Sequence, residues 1–272
     1  MIDPHEDVPE GVDTTRPSIA RIYDYHLGGT HNYAVDREAA DRVTDELPTL
    51  PKILRVNRAF LRRCVRYLAE QGVRRFLDLG SGIPTVDNVH EIVQGVDPSS
   101  CVVYVDIDPV AVADSRRILA GNDRAAIVNA DLREPEKVLG HPDVVRLLQP
   151  DLGEPIAVIM SSVLHFVPDD DEAAALVATY AAAMPADSYL AISHGAHNPA
   201  DDPRLDRAAA TYSRTIASLR LRTHNELRSL MSGFELVEPG VVYCSQWRPE
   251  PDGQVASAAL LPQICALGIK RS

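Results

Sequence analysis

The sequence predicts an α/β protein: a doubly wound, largely parallel sheet with helices on both faces, preceded by a separate helical segment. Three observations carry that reading. From residue 75 onward, short apolar, β-branched runs alternate with amphipathic stretches, the pattern of parallel strands that crossover helices bury on both faces. The first of those runs, "RFLDL", ends in the bare turn Gly80-Ser81-Gly82, directly behind Asp78. Residues 16–70, by contrast, have helical patterning and no strand-like run.

Taken in order, the acidic opening, residues 1–15, reads as a disordered tail. It lacks the basic start and apolar middle of a signal peptide, and no run of about 18 apolar residues follows, so a cytoplasmic protein with no membrane partner is expected. Residues 16–70 form the expected helical lid. In "ARIYDYHLGGTHNYAVDRE", Tyr23, Asp24, His31, Asn32, Tyr33 and Arg37 crowd around Gly28-Gly29, which is either an ordinary loop between two helices or a cover over a pocket. In "LPKILRVNRAFLRRCVRYLAE", Ile53, Leu54, Phe60, Leu61, Cys64, Val65 and Leu68 fall near one face of a long helix, while Arg55, Arg58, Arg62 and Arg66 step along another. A solvated charged face and a ligand contact both remain open for these arginines.

Residues 71–272 make the sheet domain. Strands are expected at 75–79, 101–106, 125–130, 155–162 and 188–193, and helices at about 86–95, 109–120, 135–148 and 171–184. "THNELRSLMSGFELVEPGVVYC" adds a helix capped near Thr223 and stopped at Gly233, then a strand; "ICALGIK" is a last strand.

The net charge of −12 argues against a general nucleic-acid binder. It is unevenly spread: residues 16–75 carry 12 Arg/Lys against 7 Asp/Glu, and residues 76–272 carry 15 against 27. The cysteines, Cys64, Cys101, Cys244 and Cys265, are far apart without metal-ligand spacing and read as reduced thiols. Lysine occurs only at Lys52, Lys137 and Lys270 and alanine is abundant, which suggests a GC-rich bacterial genome.

Chemistry gathers at the strand ends. A strand passing through Gly80-Ser81-Gly82 into a helix lets a ligand approach the backbone and its amides. A dinucleotide fingerprint would want a third glycine at position 85, where Thr85 stands, so nicotinamide binding is disfavoured. "VVYVDIDP" puts Asp106 at the tip of the second strand, where a carboxylate can accept both hydroxyls of a ribose, with Ile107 beside it. Asp108, before Pro109, is a helix cap or a ligand contact. "NADLRE" offers Asp131 to the exocyclic amine of an adenine and Leu132 to its ring, and "SSVLHFVPDDD" follows the fourth strand.

"FLDLGSG", "VVYVDIDP", "NADL" and "MSSVLHFVPD" stand in the order and spacing of the motifs of class I S-adenosylmethionine-dependent methyltransferases. With "SIARIYDYHLGGTHNYAVDRE" and "RVNRAFLRRCVRYLAEQGVRRFLDLGSGIPTVDNVHE", residues 16–272 resemble an actinobacterial family of such proteins whose substrate is unassigned. The resemblance implies a Rossmann-like, seven-stranded sheet with a reversed final hairpin and S-adenosylmethionine as cofactor. It gives Asp78, Gly80, Ser81 and Gly82 to the methionine end, Asp106 and Ile107 to the ribose side, and Asp131 with Leu132 to adenine. Ser161 and His165 would lie near the methionyl group or the acceptor.

Nitrogen-directed enzymes of this class often carry Asn/Asp-Pro-Pro-aromatic after the fourth strand; "SSVLHF" stands there instead, which favours a small-molecule acceptor over nucleic acid or protein. Holding donor and nucleophile in line supplies much of such catalysis. Where a base is needed, His165 is the first expectation, with His31, Tyr23 or Asp24 as alternatives, against a merely structural role for His165. His194 and His197 lack a third ligand, and no metal is expected. Because the cofactor is itself cationic, the basic lid suits an anionic acceptor, in a pocket between residues 23–37 and His165 walled by Tyr23, His31, Asn32, Arg37 and Arg58. Two other readings of the fold are a regulatory protein that binds the cofactor or its product without transfer, and an NAD-dependent oxidoreductase.

Overall fold

The computed structural model describes residues 12–83, 88–149, 153–197, 203–250 and 261–271. Most of the expected tail, residues 1–11, lies outside the described residues, as does Thr85. The elements are α1 (Ile19–Leu27), α2 (Ala34–Glu46), α3 (Leu50–Glu70), β1 (Arg75–Leu79), α4 (Val89–Val96), β2 (Cys101–Asp106), α5 (Pro109–Ile118), β3 (Ala125–Asn129), α6 (Pro135–Leu139), α7 (Pro142–Leu148), β4 (Ile156–Ser161), α8 (Asp170–Ala183), β5 (Tyr189–Gly195), α9 (Pro203–Thr215), α10 (His224–Leu230), β6 (Glu235–Leu236), β7 (Val242–Tyr243) and β8 (Gln263–Ile269).

The strands form one sheet in the order β3-β2-β1-β4-β5-β8-β6, with β7 also on β8. The strands β1 to β5 run parallel and β8 runs antiparallel to β5. Eight strands replace the expected seven because the return strand is broken. Residues 237–241 stand opposite only residues 266 and 267 between the β6 and β7 pairings. Pro239 has no N–H to give the ladder, and Gly240 turns at φ 83°. The helix expected over 135–148 is likewise two: Pro142 cannot continue α6, and His141 caps α7 by accepting the Asp143 amide through Nδ1 at 3.2 Å. Helix α9 was not foreseen.

Alternate residues of each strand feed opposite layers. Leu77, Val103, Val158 and Ile192 pack with Leu147, Val177 and Leu227 on one face. Phe76, Val102, Ala157 and Leu267 pack with Phe60, Cys64, Leu68 and Val93 on the other. Helix α3 is therefore shared. Its second half covers the sheet, whereas Ile53 in its first half joins Val43, Leu47, Leu205 and Ala208 of α2 and α9. Trp247, fully buried, locks α3 to the far edge of the sheet, its ring edge-on to Phe60 at 5.4 Å while its carbonyl accepts Arg63 Nε at 3.0 Å. The described cysteines are free thiols, and among the described residues no helix is long and apolar enough to cross a membrane.

Phe60→Ala should remove the central contact of that lock and cost about 3 to 5 kcal/mol in urea unfolding. Arg62→Ala, which breaks the half-exposed pair with Glu250, should cost less than about 1 kcal/mol.

Candidate active site

The strand order reverses between β1 and β4, so the loops leaving them diverge and open a cleft at the carboxyl ends of the parallel strands. Gly80 and Gly82 turn there at φ 72° and 69°, the left-handed region that glycine adopts without penalty. They are bare for different reasons. A Cβ on Gly80 would lie 2.5 Å from Cγ2 of Val163, whereas one on Gly82 would meet nothing within 4 Å. Gly80 thus makes room for the loop after β4 where it lines the cleft, and the open position is Gly82.

The cleft is a cavity of about 730 Å³. Asp78 and residues 80–82 line it from β1, residues 106–109 from β2, residues 130–133 after β3 and residues 161–163 from β4. Helix α1 contributes Tyr23 from above, and α3 contributes Asn57, Arg58 and Leu61. Asp106 is buried at 7% exposure; its Oδ2 accepts the Gly82 amide at 2.7 Å and its Oδ1 the Asp108 amide at 2.8 Å. Each oxygen keeps a lone pair for a ligand. Burial pushes the Asp78 carboxyl up to about 7, against the pull of Arg58, and the Asp106 carboxyl up to about 6. Ile107 is 61% exposed, and Ser81 Oγ is buried without a partner. Asp131 does not stand free as expected: Arg133 donates to both of its oxygens, at 3.1 and 3.0 Å from Nε and 2.6 Å from Nη2, and holds its carboxyl below the usual range.

Asn57 went unnoticed in the sequence, although it is the polar residue on the apolar stripe of α3. Its Nδ2 donates to Ser161 Oγ at 3.2 Å and to Tyr23 Oη at 3.1 Å, and its Oδ1 accepts Ser193 Oγ at 2.6 Å. Ser161 and Ser193 are 3.1 Å apart. Because the Ser193 proton goes to Asn57, Ser161 must donate to Ser193, closing a three-residue ring. The Ser161 hydroxyl is therefore part of the scaffold behind the cleft.

The roof is tied down by acids. Asp108 resolves as a cap: its Oδ1 accepts the Val110 and Ala111 amides at 2.7 and 3.2 Å, while Oδ2 accepts Ser18 Oγ. Buried Arg21 donates to Asp36 at 2.8 Å and to the Asp13 carbonyl at 3.1 Å, holding the end of the tail in place. The dense "GGTHNY" segment is an internal tie rather than a pocket wall. Asp24 accepts the His31 amide and Asn32 Nδ2, both at 2.9 Å, and His31 Nδ1 lies 2.7 Å from Asp114 of α5. Exposed Arg37 donates to Asn32. His31, Asn32 and Arg37 line neither cavity, so the expected anion pocket is not assembled. Arg58 is in the cleft, but beside Asp78, Ser81 and Gly82 and away from His165.

His165 lines a second cavity of about 120 Å³, which shares Ile19, Tyr23, Ser162 and Phe166 with the cleft. Its turn is clamped by Arg222, also missed in the sequence and fully buried. Arg222 donates to the carbonyls of Leu164 at 2.9 Å and Val167 at 2.8 Å and to Asp170 at 3.0 Å. Its Nη1 also meets His194 Nε2 at 2.9 Å. A guanidinium can only donate, so His194 is neutral, with its proton on Nδ1 towards the Gly195 carbonyl at 2.9 Å. Burial pulls His194 down to about 4 and His165 well below its ordinary value, with His194 and Arg222 adding to the effect. Among the described residues no cluster could hold a metal ion.

A family model described as S-adenosyl methyltransferase matches residues 5–271. The chain belongs to that family. Two solved structures resemble it over nearly their whole lengths. One is a candidate methyltransferase from Thermobifida fusca YX, with 38% identity and a TM-score of 0.90 over 97% of this chain and 98% of that one. The other is a DUF574 family protein from Streptomyces avermitilis, with 40% identity and a TM-score of 0.89 over 95% and 99%. Human N-acetylserotonin methyltransferase, solved with SAM, shares the fold at 12% identity and a TM-score of 0.52, over 94% of this chain and 63% of that one. No curated protein matches the sequence. The protein is thus a SAM-dependent methyltransferase with S-adenosylmethionine as its cofactor, and neither the oxidoreductase nor the non-catalytic reading finds support. The cleft fits that cofactor: it offers buried acids to a diol and to cations, open space over Gly82 and an unpartnered hydroxyl at Ser81.

Since burial raises Asp78, the folded protein holds a proton that the unfolded chain releases near 3.8. Its contribution to stability is present at low pH and lost as pH rises through about 7. The buried histidines act in the opposite sense, so the comparison with Asp78→Asn isolates the carboxyl. In ligand-free protein the variant should gain on wild type between pH 4 and 7, by on the order of 4 kcal/mol in urea unfolding. A difference that does not change with pH would contradict the assignment.

Proposed function

We propose that this methyltransferase acts on a small molecule. The cleft would hold the ribose of S-adenosylmethionine at Asp106, the adenine against Ile107 and Leu132 near Asp131, and the methionine end among Asp78, Ser81, Gly82 and Arg58. The observation that carries this reading is the carboxylate of Asp106, buried at the tip of β2 and held by the amides of Gly82 and Asp108. The cofactor, when bound, supplies an electrophilic methyl on a sulfonium. What the chain's own residues contribute is orientation and exclusion of water: Arg58 suits a carboxylate and Asp78, once ionised, an ammonium.

A small acceptor is favoured because the cavity that continues from the cleft is small, about 120 Å³, and is lined by residues of α1, α2, α3 and α9. The anionic acceptor suggested by the basic segment loses its support, since Arg58 lies in the cofactor cleft and other arginines counted there are spent elsewhere. Arg21 pairs with Asp36, Arg62 with Glu250 and Arg63 with the Trp247 and Cys244 carbonyls.

Calorimetry with S-adenosylhomocysteine tests the assignment. Asp106→Ala, losing charge-assisted bonds worth about 1.5 to 3 kcal/mol each, should bind at least tenfold more weakly. Arg58→Ala should also lose affinity. Unchanged binding in a folded Asp106→Ala protein would overturn the placement of the ribose. With labelled S-adenosylmethionine and a bacterial extract, label should enter the small-molecule fraction; label on protein or nucleic acid would contradict a small acceptor.

A further inference from the structure

Beyond the cofactor cleft, the cavity beside His165 has a chemistry of its own. Its walls are mostly hydrocarbon, including Val43, Leu47, Ile53, Leu205 and Ala208, and among the described residues no Asp, Glu, Lys or Arg lines it. Tyr23, Ser162, Tyr212 and Gln263 also line it, and two further nitrogens stand out. Nδ1 of His165 and Nε2 of His26 are both buried without a partner, and both residues line this cavity. Neither ring is a surface cation: burial holds His26 down at about 4 and His165 well below its ordinary value. A dry apolar space with orphaned polar atoms is the arrangement a specific ligand completes, because buried groups left unpaired are costly.

We infer that this cavity is the acceptor site and that it takes an uncharged, single-ring compound bearing a hydroxyl. The inference rests on the reading that the cofactor occupies the adjoining cleft. Size fixes the ring: about 120 Å³ is in the class of engineered apolar cavities, on the order of 150 Å³, that admit benzene. The walls exclude charge, since a carboxylate or ammonium would be stripped of water with no counter-ion. The orphan nitrogens select the polar group. A hydroxyl both donates and accepts, whereas a thiol is a weak donor.

His165 is placed to receive the hydroxyl proton, because its turn is the one that leaves β4 towards the cleft. The shared residues Tyr23, Ser162 and Phe166 mark where the two spaces meet. In the transfer, the acceptor oxygen forms a bond to the methyl carbon as the carbon–sulfur bond of the sulfonium breaks. The hydroxyl proton passes to His165 Nδ1 and then to solvent, and neutral S-adenosylhomocysteine remains. Arg222 acts as a positioning residue by holding the carbonyls on either side of His165.

Calorimetry on the full chain with S-adenosylhomocysteine bound, titrating phenol, toluene and benzoate, tests this without turnover. Phenol and toluene should bind competitively with each other, and benzoate at least tenfold more weakly than phenol. His165→Phe keeps a ring but removes the nitrogen; it should weaken phenol at least tenfold and leave toluene within about threefold. Ala209→Phe, which fills the cavity from α9, should abolish binding of both while S-adenosylhomocysteine still binds. Benzoate binding as tightly as phenol, phenol affinity unmoved in both variants, or no binding of any ring to protein that binds S-adenosylhomocysteine would overturn the inference. Failure to bind S-adenosylhomocysteine at all would overturn the reading of the cleft beneath it.

Discussion

The carboxylate of Asp106 joins the two loops at the ends of β1 and β2, where the Val105 carbonyl already takes the Gly80 and Ser81 amides. One oxygen takes the amide of Gly82 and the other the amide of Asp108, so the turn after β1 and the turn after β2 are set from a single buried group. Both turns leave parallel strands, whose outward amides have no ladder partner and must find one. The same constraint continues outward from β2. Asp108 caps α5 and holds Ser18, and Asp114 on that helix holds His31. A succession of acids from the tip of one strand thus lays out the floor of the cleft and fastens its roof.

A second set of contacts fixes the other side. The ring of Asn57, Ser161 and Ser193 joins the middle of α3 to β4 and β5, while Arg222 draws the turn after β4 onto its own guanidinium. A buried arginine is expensive unless fully paired; here it has Asp170, two carbonyls and a histidine nitrogen. The consequence for chemistry is a difference in character between adjoining spaces. The floor of the cleft carries Asp78 and Asp106, whose protons burial holds to near-neutral pH. The cavity beyond Tyr23 and Phe166 is apolar, with imidazoles that burial keeps uncharged.

Much of the fold was legible because it depends on short-range periodicity. The parallel strands from Arg75 to Gly195 lie close to where their apolar runs stand, and the strand ends that carry Asp78, Asp106 and Asp131 follow from them. What was not legible depends on partners distant in sequence. Arg58 reads in the sequence as one of a row of arginines on α3; only the packing of that helix over β1 brings it to Asp78. His31, Asn32 and Arg37 look like a pocket because they are dense, but Asp24 takes the His31 amide and Asn32 Nδ2, Arg37 turns back onto Asn32, and His31 Nδ1 lies against Asp114. Asn57 did carry a signal, a polar residue in the apolar stripe at positions 53, 57, 60, 61 and 64. Arg222 carried none, since one of 24 arginines, lying in no motif, gives no hint of burial.

The division of labour between the two spaces makes a specific demand on the bound state. It is met or refused most directly by a crystal structure of the protein with S-adenosylhomocysteine. The account predicts ribose hydroxyls on Asp106, the amino-acid end between Asp78 and Arg58, and the sulfur turned to the border formed by Tyr23, Ser162 and Phe166. A nucleoside lying in the apolar cavity, or a ligand reversed so that adenine meets Arg58, would contradict it.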